Sequence, residues 1–415
     1  MGVMYKKVFQ IGLLAILPIL LAVTCWVQPA AALTEEQKLV SEAWRMVNRV
    51  YLDDTFNHQN WSMLRLKTLK QPLKDREAAY EAIQKMLATL DDPFTRFLKP
   101  EQYRSLQVNT SGELTGVGLQ IALEPKTGQL EVVAPIAGSP AEKAGIRPHD
   151  RILAIDGVLT TELTLDESAA RMRGPAGSKV SLVLQHPPTE ESTEIQLVRS
   201  RIELNPVVAE LRNVTEALKI GYLRLTQFNA NATMELAHAI ANLEKQGANA
   251  YILDLRNNPG GLLQAGIEIA RLWLDEGTIV YTVNRQGIQG SFEAFGSAIT
   301  TDPLVVLVNQ GTASASEILA GALQDNGRAQ IIGETTFGKG LIQSLFNLSD
   351  GSGLAVTVAK YETPQHRDIN KLGITPDLVV LQDPITREKI ATEADQQYLA
   401  AVEQFTTHSV LAGKS

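Results

Sequence analysis

Between residues 206 and 385, short continuous apolar runs alternate with segments of helical period. Lys219–Leu225, Asn249–Leu255, Leu304–Asn309 and Ala329–Gly333 read as strands; Thr233–Gln246, Leu262–Leu274 and Ala315–Asp325 read as helices between them. A strand that is apolar at successive positions, not at every second one, has to be covered on both faces. Interleaved with helices, such strands admit few solutions, and the expected one is an α/β layer fold with a covered sheet. One more helix is expected over Ala391–Phe405.

Upstream the pattern changes twice. Residues 35–105 read as a small helical domain, with apolar positions near a 3.6-residue period in Glu35–Tyr51 and again in Arg76–Leu90. Residues 106–205 hold short β-rich runs (Gly118–Leu123, Leu130–Val133, Asp150–Ile155 and Lys179–Gln185) broken by Gly, Pro and Asp. Two helical segments, Ser139–Ala144 and Leu165–Met172, lie among them, and Pro187-Pro188 sits in a turn between strands. The expected division is therefore 1–32, 33–105, 106–205, 206–385 and a helical tail over 386–415.

The first of these segments reads as a signal peptide. Lys6 and Lys7 precede an apolar run from Val8 to Val27, and Ala30-Ala31-Ala32 fits a small-residue cleavage site, so the mature chain is expected to begin at Leu33. The alternatives are an uncleaved membrane anchor and a lipid on Cys25, although Thr24 is not the small residue usual before a lipidated cysteine. Cys25 is the only cysteine, which excludes a disulfide framework within the chain. The six histidines are scattered without ligand-like spacing, so no metal or other cofactor is expected. A net charge of −8 argues against a nucleic-acid partner, and no basic amphipathic stretch suggests more than a peripheral relation to a membrane.

Gly116-Val117-Gly118-Leu119, followed by Gly138-Ser139-Pro140-Ala141-Glu142-Lys143-Ala144-Gly145 and Asp150-Arg151-Ile152-Leu153, resembles a PDZ domain over about 90 residues. The resemblance implies that a substrate's terminal carboxylate sits at Gly116, Val117, Gly118 and Leu119, with Leu165–Met172 lining the pocket. It also implies that Arg173 links this module to an active site; the plainer reading of Arg173 is a solvated turn residue.

Two further blocks carry the chemistry. The first, Asn309-Gln310-Gly311-Thr312-Ala313-Ser314-Ala315-Ser316-Glu317, runs from a buried strand into a helix; the second is Gly338-Lys339-Gly340, with Gln343 after it. By pattern alone Ser314–Glu317 is a helix capping box, and a lone lysine between glycines is a solvated loop residue. Together, and with Asp254–Gly261 and Gly373-Ile374-Thr375-Pro376-Asp377, they resemble the carboxyl-terminal processing peptidases from about Gln37 to Val380.

That resemblance implies a multidomain α/β protein: a crotonase-like catalytic core with a β-rich PDZ domain inserted and helices at the N-terminus. It implies a serine endopeptidase with Ser314 as nucleophile and Lys339 as general base, a variant of the Ser–His–Asp logic that uses no histidine. Lys339 then has to be neutral when it accepts the proton, so burial is expected to lower its pKa. Gln343 would orient the amine, and backbone N–H groups of Ala315 and of Gly260 or Gly261 would form the oxyanion hole. Asp325 would support the active region, or else simply end its helix. The segments Glu42–Tyr51, Phe56–Trp61 and Leu90–Leu98 look like the cyanobacterial and plastid branch, which removes the C-terminal extension of a photosystem II reaction-centre subunit so that the manganese cluster can assemble. That implies a thylakoid-lumen or periplasmic enzyme whose partner is this precursor's tail. The alternatives are a broad periplasmic tail-specific protease and a PDZ scaffold with a dead core.

Overall fold

The computed structural model describes residues 33–412, apart from 125–126, 188 and 190. The expected signal peptide with Cys25, and Pro188 of the proline turn, lie outside the described residues. Lys219–Leu225, Ala250–Asp254, Leu304–Val308 and Gln330–Gly333 are successive parallel neighbours in one six-stranded sheet. Leu378–Val379 extends it in parallel, and Val207–Asn213 closes the other edge antiparallel.

Alternate residues of these strands serve two cores. Tyr251, Leu253, Val306 and Val308 pack with the helices Ala232–Lys245, Leu263–Arg271 and Ala315–Asp325. Ala250, Ile252, Val305 and Leu307 pack with Tyr398, Ala401 and Phe405 of the helix Gln396–Ala412. Burial on both faces is the physical reason for the unbroken apolar runs.

A polar latch holds that last helix. Arg256, itself buried, donates to Asp254 at 2.7 and 2.9 Å and to both carboxylate oxygens of Asp395 at 2.8 Å. Burial alone would lower the Arg256 guanidinium's pKa, but the charges and hydrogen bonds of Asp254 and Asp395 raise it.

The N-terminal helices Glu35–Val50, Trp61–Leu69 and Arg76–Ala88 share their core with Phe97, Leu348, Leu354 and Val356. Three of those four come from a second sheet, in which Gly353–Glu362 pairs with Arg96–Leu98, Thr278–Asn284 and Leu341–Asn347, and Gly287–Glu293 adds to Thr278–Asn284. A fourth helix, Pro100–Ser111, runs across residue 105.

The PDZ-like module is a six-stranded sheet: five strands run in the order Leu119–Leu123, Leu130–Pro135, Arg151–Ile155, Lys179–Gln185, Ser192–Val198, and Val158–Leu159 pairs with Arg151–Ile155. Its core holds Val132, Ile152, Leu182 and Leu184. The chain enters and leaves it through one antiparallel ribbon, Glu113–Gly116 against Ser200–Glu203. The protein is thus a multidomain α/β structure in which a β module is inserted between N-terminal helices and the main sheet.

Candidate active site

Ser314 stands where the buried strand Leu304–Val308 has turned into the helix Ala315–Asp325. Its backbone lies at φ 59°, ψ −119°, a strained conformation for a non-glycine residue that persists only where its surroundings impose it. Those surroundings are polar and specific. Thr312 Oγ1 donates to the Leu255 carbonyl at 2.9 Å, Ala313 N–H to the Asn258 carbonyl at 3.0 Å, and Ser316 Oγ to the same carbonyl at 3.0 Å. The turn is thereby stitched to the Arg256–Gly261 loop. Ser316 spends its hydroxyl on this seam.

The capping-box pattern is realised on one side only. Ser314 N–H donates to the Glu317 carboxylate at 2.8 Å, but Glu317 N–H goes to the Ser314 carbonyl at 2.8 Å, and the Ser314 hydroxyl makes no cap bond. The hydroxyl is left to the cavity.

Gly260 and Gly261 lie against this turn. A Cβ on Gly260 would stand 2.6 Å from the Ala313 carbonyl oxygen and 2.8 Å from Ala315 N. The two glycines are not equivalent as donors, because Gly260 N–H is already given to Asn258 Oδ1 at 2.9 Å. Neither Gly261 N–H nor Ala315 N–H has an acceptor among the described residues.

Lys339 is fixed by its neighbours. Gly338 has φ 84°, and a Cβ there or on Gly340 would strike the backbone of residues 370–373 at 2.8–2.9 Å. Only glycines let the lysine loop approach so closely. The ammonium lies 5.1 Å from the centre of the Phe94 ring. Burial, helped by the charge of Arg96, lowers the Lys339 pKa against the opposing pull of Glu317 and Asp92.

Ser314, Ala315, Gly260, Gly261, Lys339 and Gln343 line one cavity of about 530 Å³, with Phe94, Arg96 and Tyr361 in its wall. Among the described residues no hydrogen bond joins the Lys339 amine to Ser314 Oγ. Gln343 donates its amide to Thr357 Oγ1 at 3.3 Å and not to the lysine.

The residue that unites the site was not singled out from the sequence. Glu317 is fully buried. One carboxylate oxygen accepts Thr336 Oγ1 at 2.5 Å and Gly338 N–H at 2.7 Å; the other accepts Ser314 N–H at 2.8 Å and Lys339 N–H at 2.9 Å. A single side chain thus fixes both loops. Tyr361 was missed too; its hydroxyl donates to the Ser314 carbonyl at 3.2 Å, and burial raises its pKa well above the ordinary phenol range.

Asp325 lies at the far end of the helix from Ser314. Its carboxylate accepts from Arg367 and, at 3.1 Å, from Gln365 N–H.

In the β module, Leu119–Leu123 is the edge strand, with its outer side unpaired and the helix Leu165–Met172 packed beside it. Gly118 has φ 78°, and a Cβ there would stand 2.3 Å from that of Ser139. The Val117 carbonyl accepts from Ala141 N–H, while Gly116 pairs with Ser200 and bridges to Arg173. Arg173 therefore sits where the helix, the glycine loop and the connecting ribbon meet, half-buried.

Residues 219–380 match peptidase family S41, and residues 131–186 match the PDZ domain family. The carboxyl-terminal-processing protease of Synechocystis sp. is 65% identical over 386 residues, covering 93% of this chain and 90% of that protein. The chloroplastic carboxyl-terminal-processing peptidase 2 of Arabidopsis thaliana is 47% identical over 392 residues, covering 91% and 76% respectively. The solved structure of a photosystem II D1 C-terminal processing protease matches with a TM-score of 0.57 and 44% identity, covering 88% of this chain and 99% of that one.

Proposed function

The chain belongs to the carboxyl-terminal processing peptidases of family S41, which are serine peptidases, and on that premise we propose that Ser314 and Lys339 are its catalytic pair. The observation that carries this reading is Glu317, whose one oxygen receives the backbone N–H of both residues while their side chains open into one cavity.

Neutral Lys339 takes the Ser314 proton as Oγ attacks the scissile carbonyl, and an acyl-enzyme forms with loss of the C-terminal fragment. The protonated lysine returns its proton to the leaving amine, and water then cleaves the ester by the same route. The unpaired N–H groups of Ala315 and Gly261 suit the oxyanion, the former at the positive end of a helix. Gly260 contributes by allowing close approach, since its own N–H is committed. Transfer needs the amine within about 2.6–3.2 Å of Oγ, so the pair closes when substrate fills the cavity, and Gln343 is released from Thr357 to steady it.

The substrate we assign is the C-terminal extension of the photosystem II D1 precursor, by kinship with the processing protease above. The edge strand Leu119–Leu123 and the loop Gly116–Leu119 suit an extended peptide ending in a carboxylate, and Arg173 suits the coupling role. Action in the thylakoid lumen or periplasm follows from that substrate; among the described residues no helix is long and apolar enough to cross a membrane. Incubating the purified chain with the D1 precursor, and separately with unrelated unfolded proteins, tests the assignment. Selective removal of the D1 extension supports it. Equal cleavage of all of them marks a broad tail-specific enzyme instead.

A further inference from the structure

We infer that the outward face of the helix Trp61–Leu69 is a docking surface for an anionic lipid bilayer, independently of which substrate the enzyme cuts. The helix is apolar on two sides. Trp61 and Thr68 are buried inward, with Leu64 and Leu69 packed against the same core. Met63, Leu66, Lys67 and Lys70 follow at i, i+3, i+4 and i+7, which places them on one outward stripe. Met63 is 48% and Leu66 50% exposed, and both lysines are exposed.

Charge selects the occupant. From Trp61 to Arg76 the sequence holds five cations and one acid, in a chain whose net charge is −8. Lys67, Lys70 and Lys74 have no ion-pair partner among the described residues. Apolar side chains flanked by free lysines fit the interface of an anionic leaflet, where the hydrocarbon enters and the ammonium groups stay at the headgroups.

Position agrees. Gln37 Nε2 donates to the Leu69 carbonyl at 3.1 Å, so the first turn of Glu35–Val50 lies against the end of this helix. Leu33, the first described residue, is exposed at this same end of the fold.

The test is co-sedimentation of the chain from Leu33 onwards, which carries every described element, with vesicles of phosphatidylglycerol and phosphatidylcholine or of phosphatidylcholine alone. Binding is expected to the anionic vesicles only and to fall as salt rises. Each lysine beside an anionic surface is worth about fivefold in partition, so Lys67→Gln/Lys70→Gln lowers it about twenty-five-fold. Met63→Ser/Leu66→Ser lowers it about tenfold or more. Cleavage of a short soluble peptide stays unchanged in both variants, which reports that they fold. Equal binding to both vesicle types, no binding to either, or variants that bind like the parent would overturn the inference. A dimer that dissociates in Met63→Ser/Leu66→Ser would overturn it as well, giving the face to a second copy of the chain.

Discussion

Glu317 accepts the backbone N–H of Lys339 at 2.9 Å through the carboxylate oxygen that also accepts Ser314 N–H. The two loops of the proposed catalytic pair, 25 residues apart in sequence, are therefore positioned from one buried point. Rigid support of this kind fixes where a nucleophile and base stand before any substrate arrives.

Replacing Glu317 should damage both fold and catalysis. Glu317→Gln puts donors where four donors converge, and Glu317→Ala leaves buried N–H groups unpaired. Each is expected to cost about 3 kcal/mol or more in denaturant unfolding, with cleavage reduced to background. Thr336→Val removes one of the four bonds to Glu317 and also leaves the buried Ile374 N–H without the Thr336 hydroxyl that accepts it, and should cost about 2–4 kcal/mol. A Glu317→Gln enzyme with normal stability and rate would show that the carboxylate is incidental.

Ser314→Ala and Lys339→Ala should each abolish cleavage of a peptide substrate while the circular dichroism spectrum is retained. Lys339→Arg should be inactive too, because arginine cannot shed its proton. Ser316→Ala loses the bond to Asn258 and about 1 kcal/mol of stability, yet keeps substantial activity. Survival of activity in Ser314→Ala removes the serine from the mechanism.

The pH profile follows from Lys339. The base works deprotonated, so kcat/KM rises with pH, and its midpoint lies below the ordinary lysine value of about 10.4 because burial and Arg96 favour the neutral amine. Arg96→Gln should shift that midpoint to higher pH. The linkage to stability has the matching sign. Between the folded and unfolded pKa values the unfolded chain holds a proton that the folded chain has lost, so this group's contribution rises with pH across that window. Below it the buried charge is a burden, and Lys339→Met is expected to raise the melting temperature at neutral pH. A midpoint unmoved by Arg96→Gln would sink the electrostatic account.

Acid should release the C-terminal helix. Burial alone would raise the Asp395 carboxyl, but Arg256 and the N–H groups of Ala391 and Tyr398 hold it below the usual range. Its stabilising contribution is complete above the unfolded value of about 3.9 and is lost as pH falls through the lower folded value. Asp395→Asn leaves Arg256 partly unpaired and should cost about 3–5 kcal/mol. Hydrogen exchange in Gln396–Ala412 reports whether that helix loosens first.

Amidating a substrate's C-terminus should lower kcat/KM about 10- to 150-fold, the worth of a charge-assisted bond of roughly 1.5–3 kcal/mol. The proposed carboxylate site is on the β module and Ser314 is on the core sheet, so the loss would measure binding made away from the reacting bond. Equal rates for free-acid and amidated peptides would leave the PDZ module without a tail-reading role.

The covered sheet was legible because continuous apolar strands such as Ala250–Asp254 carry one unambiguous signal, burial on both faces. The second sheet was not. Leu341–Asn347 and Thr278–Asn284 are half-buried and polar at intervals; each forms a hairpin with the strand after it, but the pairing that joins the two hairpins, Thr278–Asn284 with Gly353–Glu362, bridges residues far apart in the chain. Ser314 was found through its motif, but its positive φ could not be, since no glycine announces it. Glu317 was hidden by a coincidence of spacing: a carboxylate three residues after a serine is what a capping box requires, and only the approach of the Lys339 loop reveals its larger duty. The Trp61–Leu69 helix was obscure for the opposite reason, as apolar residues on two sides blur any period.

The ribbon of Glu113–Gly116 and Ser200–Glu203 sets how the inserted module is tethered. Two separate linkers would let it tumble, but paired strands resist independent bending and behave as one leaf spring. A tail gripped at one end of such a spring is presented along a restricted arc, so the stretch of substrate between grip and cut has a preferred length. Lengthening or shortening that stretch by a few residues is then a change of gauge, expected to lower the cleavage rate on either side of the best length.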